Sequence, residues 1–88
     1  ASSTISQMGL YPIPAKSELN IDLTLVKAEK VTVSIYNLIG ELIVTNTHNL
    51  SDGFNNIKLD IEKLKDGAYI CKVRSTDGQM ARKFNVIK

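Results

Sequence analysis

The sequence predicts an all-β fold, an immunoglobulin-like antiparallel β-sandwich of about seven strands. Three observations lead there. Apolar residues alternate with polar ones at period two in segment after segment. Turn signals built on Gly, Asn and Asp recur roughly every 8–14 residues. No stretch carries an apolar period long enough for a helix. The Cys–Trp–Cys hallmark of antibody domains is absent, since the chain has one Cys and no Trp.

Ser2 to Gly9 is small and polar and reads as a linker into a short strand near Met8–Tyr11. Tyr11-Pro12-Ile13-Pro14-Ala15 follows. Proline fixes φ and pushes the residue before it towards extended geometry, which predicts an extended edge or a corner. Leu19, Ile21, Leu23 and Leu25 alternate with Asn20, Asp22 and Thr24 in a clear strand, and Val26 to Lys30 is a loop. Val31, Val33 and Ile35 alternate with Thr32, Ser34 and Tyr36, a strand rich in β-branched residues. Asn37-Leu38-Ile39-Gly40 turns the chain. Glu41 to Thr45 returns it, with Leu42 and Val44 inward and Ile43 outward.

Asn46 to Asn55 is a polar stretch around a Ser51-Asp52-Gly53 turn, with Leu50 and Phe54 as plugs over the core end. Ile57, Leu59 and Ile61 mark the next strand. Asp66-Gly67 then opens a closing hairpin in which Tyr69, Cys71 and Val73 point inward and Ile70, Lys72 and Arg74 outward. After Asp77-Gly78, Gln79 to Lys88 carries Met80, Phe84 and Val86 on one face. If Asp77-Gly78 were itself a two-residue turn, Lys72 and Lys83 would oppose each other, a destabilising pair that a four-residue loop relieves. Tyr69, Val73, Ile35, Leu42 and Leu59 are expected to share one core.

Composition closes several function classes. Nucleophilic catalysis needs a nucleophile, a base and an orienting group, and this chain has one Cys and one His. Cys71 falls on an inward face and His48 in a polar loop, so no enzyme is expected. Zinc fails on ligand count, and the carboxylates at 52, 60, 62 and 66 lack the alternation of a calcium loop. The five glycines occur singly, which excludes a phosphate-cradling loop. No cofactor is expected. No run of 18 apolar residues spans a membrane, and no amino-terminal signal peptide is visible.

The charge is uneven. Residues 1–62 hold four Lys against seven acids, and residues 63–88 hold seven Lys and Arg against two, so the balances are −3 and +5 within a net +2. Such a face either is simply solvated or meets a partner. Nucleic acid is not that partner, because no recognition helix and no aromatic-plus-Arg stripe exists.

These residues resemble the carboxy-terminal sorting domain of the type IX secretion system of Bacteroidetes (the Por secretion system). Tyr11-Pro12-Ile13-Pro14-Ala15 with Leu19-Asn20-Ile21 is similar to the family's opening Y-P-N-P-A and L-x-I, departing at Ile13 where Asn is usual. Ile35-Tyr36-Asn37-Leu38-Ile39-Gly40-Glu41-Leu42-Ile43 resembles its V-Y-D-x-x-G-K-x-V. Leu64 with Gly67-Ala68-Tyr69-Ile70-Cys71-Lys72-Val73 resembles L-x-x-G-x-Y-x-x-K-V, and the chain ends on a short lysine-bearing strand. The resemblance covers residues 10–88, which leaves 1–9 as linker or remnant of an upstream cargo.

The resemblance implies a secretion signal that directs a covalently linked cargo, exported to the periplasm, across the outer membrane. The domain would then be removed by a sortase-like peptidase and the cargo anchored at the cell surface or released. Lys72, Arg74, Lys83 and Lys88 are the residues expected to be read by the outer-membrane machinery. Pro12, Pro14, Tyr36, Gly40, Gly67, Tyr69 and Val73 are the scaffold beneath them. An exposed edge strand could also pair two domains into a homodimer. The alternative is a stand-alone extracellular binding or adhesion module of a larger secreted protein, for which the sequence offers no exposed aromatic platform.

Overall fold

The computed structural model describes residues 4–88, so Ala1, Ser2 and Ser3 of the expected linker lie outside it. Among the described residues there are seven strands and no helix: β1 (Ile5–Tyr11), β2 (Glu18–Leu25), β3 (Glu29–Asn37), β4 (Leu42–Leu50), β5 (Gly53–Asp60), β6 (Gly67–Ser75) and β7 (Gly78–Val86). They form a three-stranded sheet in the order β1-β2-β5 and a four-stranded sheet in the order β4-β3-β6-β7. Every strand pair is antiparallel. The predicted all-β sandwich is what forms, and the division of strands is compatible with an immunoglobulin-like arrangement.

Alternation builds the core. Leu19, Ile21, Leu23 and Leu25 face Val31, Val33, Ile35, Cys71 and Val73 across the sandwich, all buried. Ile57, Leu59, Ile61, Tyr69, Phe84 and Val86 extend the same cluster. The Tyr69 hydroxyl donates to the Lys65 carbonyl at 2.7 Å, four residues upstream, so this large side chain is buried with its polar end satisfied. Its ring stacks on Phe84 with centroids 5.8 Å apart.

Two β-bulges account for the strands that departed from expectation. In β1 the register slips between Ile5 and Gln7, so Ile5 faces Leu25 while Met8 faces Leu23. Two inward residues three apart break the period of two, and the strand starts at Ile5 rather than near Met8. In β4, Ile35 pairs with Val44 but Tyr36 pairs with Leu42, leaving Ile43 as the extra residue. Leu42 is thereby turned out beside Tyr36 and is exposed, correcting its assignment to the core; Val44 remains inward.

The stretch from Asn46 to Asn55 is mostly strand rather than loop, and His48 lies within β4. Phe54 pairs with Thr24, on the outward row of β2, so it is 67% exposed and plugs nothing. Leu50 does pack against the core.

The proline segment forms a corner in which Tyr11-Pro12 and Ile13-Pro14 are both cis. Ala15, completely buried, then bridges to the last strand: its N–H donates to the Asn85 carbonyl and its carbonyl accepts from Ile87.

Thr4 anchors the opposite end. Its N–H and hydroxyl donate to the two oxygens of Asp77, which also accepts from the Ser75 hydroxyl. These donors hold the Asp77 carboxyl down to about 2 from an ordinary 3.8. A carboxyl depressed in the folded state stabilises the fold above its unfolded pKa, and that contribution disappears as pH falls through the folded value. The domain should therefore lose stability between about pH 4 and pH 2. Asp77→Asn should flatten that part of the urea-midpoint curve; an unaltered acid slope in the variant would show that other carboxylates carry it.

Cys71 has no exposed surface, and burial pushes its thiol up to about 12. A thiol reagent at pH 8 should label it slowly in the native domain and quickly in denaturant. Equal rates in both would mean that the β6 face is open to solvent.

Candidate recognition surface

The outer face of the four-stranded sheet gathers most of the expected site. Arg74 and Lys72 are two residues apart on β6, so they share that face. The hairpin register resolves how Lys83 meets them. Ser75 pairs with Gly78, which makes Thr76-Asp77 the two-residue turn. Lys72 therefore opposes Ala81, and Lys83 opposes Ile70. Lys83 is left diagonal to Lys72, where the repulsion is weaker than for a directly opposed pair.

Lys72 lies half-buried, flanked by Ser34 on β3, with its ammonium 5.3 Å from the centre of the Tyr36 ring. A cation over the negative face of an aromatic ring is attracted by the ring quadrupole. Tyr36, expected from the sequence to be scaffold, thus lies against the central charge of the basic row.

Lys88 does not join this group. Its ammonium donates to the carbonyls of Lys16, Ile61 and Glu62, and its N–H donates to Asp66 at 2.9 Å. It ties the proline corner to the β5–β6 connection, and much of its hydrogen-bonding capacity is spent within the fold.

Beside the basic row stands an apolar rim that sequence reading did not foresee. Leu38, Ile39, Leu42 and Ile43 are all exposed around the β3–β4 turn. The turn is rigid for a definite reason. The Asn37 side-chain oxygen accepts from the N–H groups of Ile39 and Glu41, and its amide donates to the Glu41 carboxylate at 2.7 Å. Gly40 completes it at φ 88°, a conformation in which a Cβ is strained. Gly67, with φ 153°, opens β6 in another region that favours glycine.

A depression of about 320 Å³ lies between rim and basic row, lined by Tyr36, Asn37, Leu38, Gly40, Ile70 and Lys72. A second of about 230 Å³ continues across Tyr36 and Lys72 towards Leu42, Thr45 and Arg74. One sheet face thus offers fixed positive charge, an aromatic ring and exposed aliphatic side chains side by side. Among the described residues no group of three or more His, Cys, Asp or Glu could hold a metal ion.

The family model of the secretion system C-terminal sorting domain matches residues 9–88 of the 88-residue chain. The chain belongs to that family. The positions of this sorting domain expected from the sequence to be scaffold, together with Ala15, lie in two places: Pro12, Pro14 and Ala15 at the corner that meets β7, and Tyr36, Gly40, Gly67, Tyr69 and Val73 around and beneath the outer face of the four-stranded sheet. As a type IX sorting signal it acts with the secretion machinery, on a cargo attached upstream, for export to the cell surface or beyond. Comparison with curated proteins gives no match.

Proposed function

We propose that the sorting domain acts as a folded address rather than as a catalyst, read through the outer face of its four-stranded sheet. The observation that supports this is the coplanar set of Lys72, Arg74 and Lys83 beside Tyr36 and the Leu38–Ile43 rim. Positive charge supplies attraction at a distance, and the apolar rim supplies area that gains free energy only on close contact. Together they suit a protein surface of the outer-membrane machinery that is acidic and partly apolar.

After passage, a sortase-like peptidase separates cargo from domain and the cargo is retained at the surface. Thr4 is buried and held by Asp77, so this cut falls ahead of Thr4 unless β1 first peels away.

The experiment is a passenger with a periplasmic export signal fused ahead of residues 9–88, in a host carrying the type IX machinery. The passenger should reach the cell surface or medium. Its retention in the periplasm, while an established sorting domain delivers the same passenger, would remove this reading.

A second reading, a binding module of a larger extracellular protein, has one observation in its favour. Phe54 and Tyr11 are both exposed on the outer face of the three-stranded sheet. Near them a depression of about 440 Å³ is lined by Gly9, Asp22, Thr24, Phe54 and Arg82, among others. That face holds the aromatic surface that the sequence did not reveal. A glycan array probed with the purified domain, and with Phe54→Ala as control, tests it.

A further inference from the structure

The four-stranded sheet segregates charge. The outward residues of β3, β4, β6 and β7 include Lys30, Lys72, Arg74 and Lys83 and no Asp or Glu. The acid that β3 does carry, Glu29, belongs to the inward row and accepts from the Thr76 N–H at the sandwich end. The outer face of the three-stranded sheet is the reverse, with Glu18, Asp22 and Asp60 against Lys58.

Two of the four cations converge on a cavity. The depression of about 230 Å³ has Lys72 and Arg74 on one side, Thr32 and Ser34 on the central strand and Thr45 on the other side, and no acid lines it. Side chains two apart on a strand start about 7 Å from each other on one face, a span that a Lys and an Arg close over one small anion. Among the described residues neither side chain has an ion pair or donates a hydrogen bond. Lys72 is half-buried, so part of its hydration is already lost and no counter-charge replaces it.

The cavity also offers neutral donors. The Ser34 and Thr45 hydroxyls lie 3.2 Å apart, and those of Thr32 and Thr47 lie 3.5 Å apart. Each pair is held by one O–H, which leaves the second O–H of each pair without an acceptor among the described residues.

A phosphate monoester satisfies this set better than a carboxylate does. It carries about −1.5 to −2 charge at pH 7 and three strong acceptor oxygens, which match two cations and the spare hydroxyls. A carboxylate brings a single charge and two oxygens. Tyr36 and Lys72 also line the neighbouring depression, whose walls include Leu38 and Ile70. The two cavities meet at the Tyr36–Lys72 contact, so a group esterified to the phosphate leads onto an apolar wall.

We infer that this face holds a binding site for a phosphate monoester with an apolar body. The phosphate sits between Lys72 and Arg74 over Ser34 and Thr45, and the body lies against Tyr36, Leu38 and Ile70. The site falls within the surface proposed for recognition, yet it is a property of the chain alone and does not depend on cargo export.

Phenyl phosphate is the probe, titrated into the isotope-labelled purified chain at about pH 7.5 and constant ionic strength. The amide resonances of Ser34, Tyr36, Leu38, Lys72 and Arg74 should shift together and saturate, with a dissociation constant on the order of 1 mM. Benzoate keeps the ring and carries one charge, and should bind at least about 10-fold more weakly. Inorganic phosphate lacks the body, and should bind about 3-fold more weakly and leave Leu38 unmoved. Lys72→Met and Arg74→Gln should each weaken phenyl phosphate at least about 10-fold. Ser34→Ala with Thr45→Val keeps every charge and should weaken it about 3–10-fold. Lys30→Ala removes one charge from the same face outside the cavity, and should change affinity by less than about 2-fold. Circular dichroism verifies the fold of each variant. Shifts that do not saturate below about 20 mM overturn the inference. So does benzoate or inorganic phosphate binding as tightly as phenyl phosphate, since the dianion or the apolar body would then go unread. A hydroxyl variant that binds unchanged, or Lys30→Ala weakening binding as much as Lys72→Met, would reduce the site to diffuse surface charge and also overturn it. Passenger export is read separately in cells, so this site and the sorting reading fail independently.

Discussion

Phe84→Ala should leave the domain barely folded, with a loss of about 3–5 kcal/mol, the range for removing a buried Phe side chain. Phe84 is 1% exposed, sits opposite Tyr69 on the neighbouring strand and stacks against its ring. Its removal opens a cavity beneath the β6–β7 hairpin, which carries the basic row. A chain of 88 residues holds about 4–13 kcal/mol in total, so one such loss consumes a large share. Phe54→Ala is the internal control. That ring is 67% exposed, and an exposed truncation should shift stability by less than about 0.5 kcal/mol. Urea midpoints of the two variants, at unchanged slope, decide the matter. Equal shifts would mean that the two rings share one environment and that the inward face of β7 is misassigned.

That contrast shows where sequence reasoning reached the fold and where it stopped. Both Phe residues are equally apolar, and only register separates them. Wherever a strand keeps its pairing register, as β2, β3 and β6 do, the buried apolar set was legible residue by residue: Leu19 to Leu25, Val31 to Ile35, Tyr69 to Val73; Ser34, buried on the outer face beside Thr45, was not. Each bulge moves one residue and inverts everything beyond it. Ser6 and Ile43 are such residues, and no composition signal marks them, so the start of β1 and the side on which Leu42 lies were not legible.

The same rule governs the recognition surface. Lys72 and Arg74 could be placed on one face from spacing alone, whereas Lys83 needed the turn at Thr76-Asp77 to be known. Lys88 lies beyond the end of β7, where alternation has no authority, and its ammonium turns back onto three carbonyls. The apolar rim left a readable trace: two large aliphatic residues inside a turn, Leu38 and Ile39, between an Asn and a Gly. Turn residues are solvated, so apolar ones there signal an exposed patch rather than a core. Tyr69-Ile70-Cys71 held another trace, since a Tyr two residues before a Cys at the start of such a strand is the spacing of a hydroxyl that bonds back to the chain.

Lys72→Ala, Arg74→Ala and Lys83→Ala combined should leave the domain folded and its passenger in the periplasm. Exposed substitutions usually cost less than about 0.5 kcal/mol each, and loss of the Lys72 contact with Tyr36 adds about 0.5–1 kcal/mol, so the triple variant should fold at 37 °C. Lys88 is left out of this set. Its replacement strips donors from the carbonyls of Lys16, Ile61 and Glu62, so a stability loss would be mistaken for a lost signal. Leu38→Ser, Ile39→Ser and Leu42→Ser form a second variant, which removes apolar contact area and keeps the charge. Truncation after Arg82 forms a third, which removes Phe84 and Val86 from the core as well as charge, and should fail in both folding and export. Fractionation of passenger into periplasm, surface and medium, with the melting point of each purified domain, separates the cases. If only the charge variant fails among the folded ones, attraction at a distance dominates recognition, and higher external salt should slow export of the intact fusion. If only the rim variant fails, contact area dominates and salt should have little effect. If both export normally while folded, the outer face of the four-stranded sheet is a solvated surface, and the proline corner with its Ala15 bridge to β7 becomes the next part of the sorting domain to test.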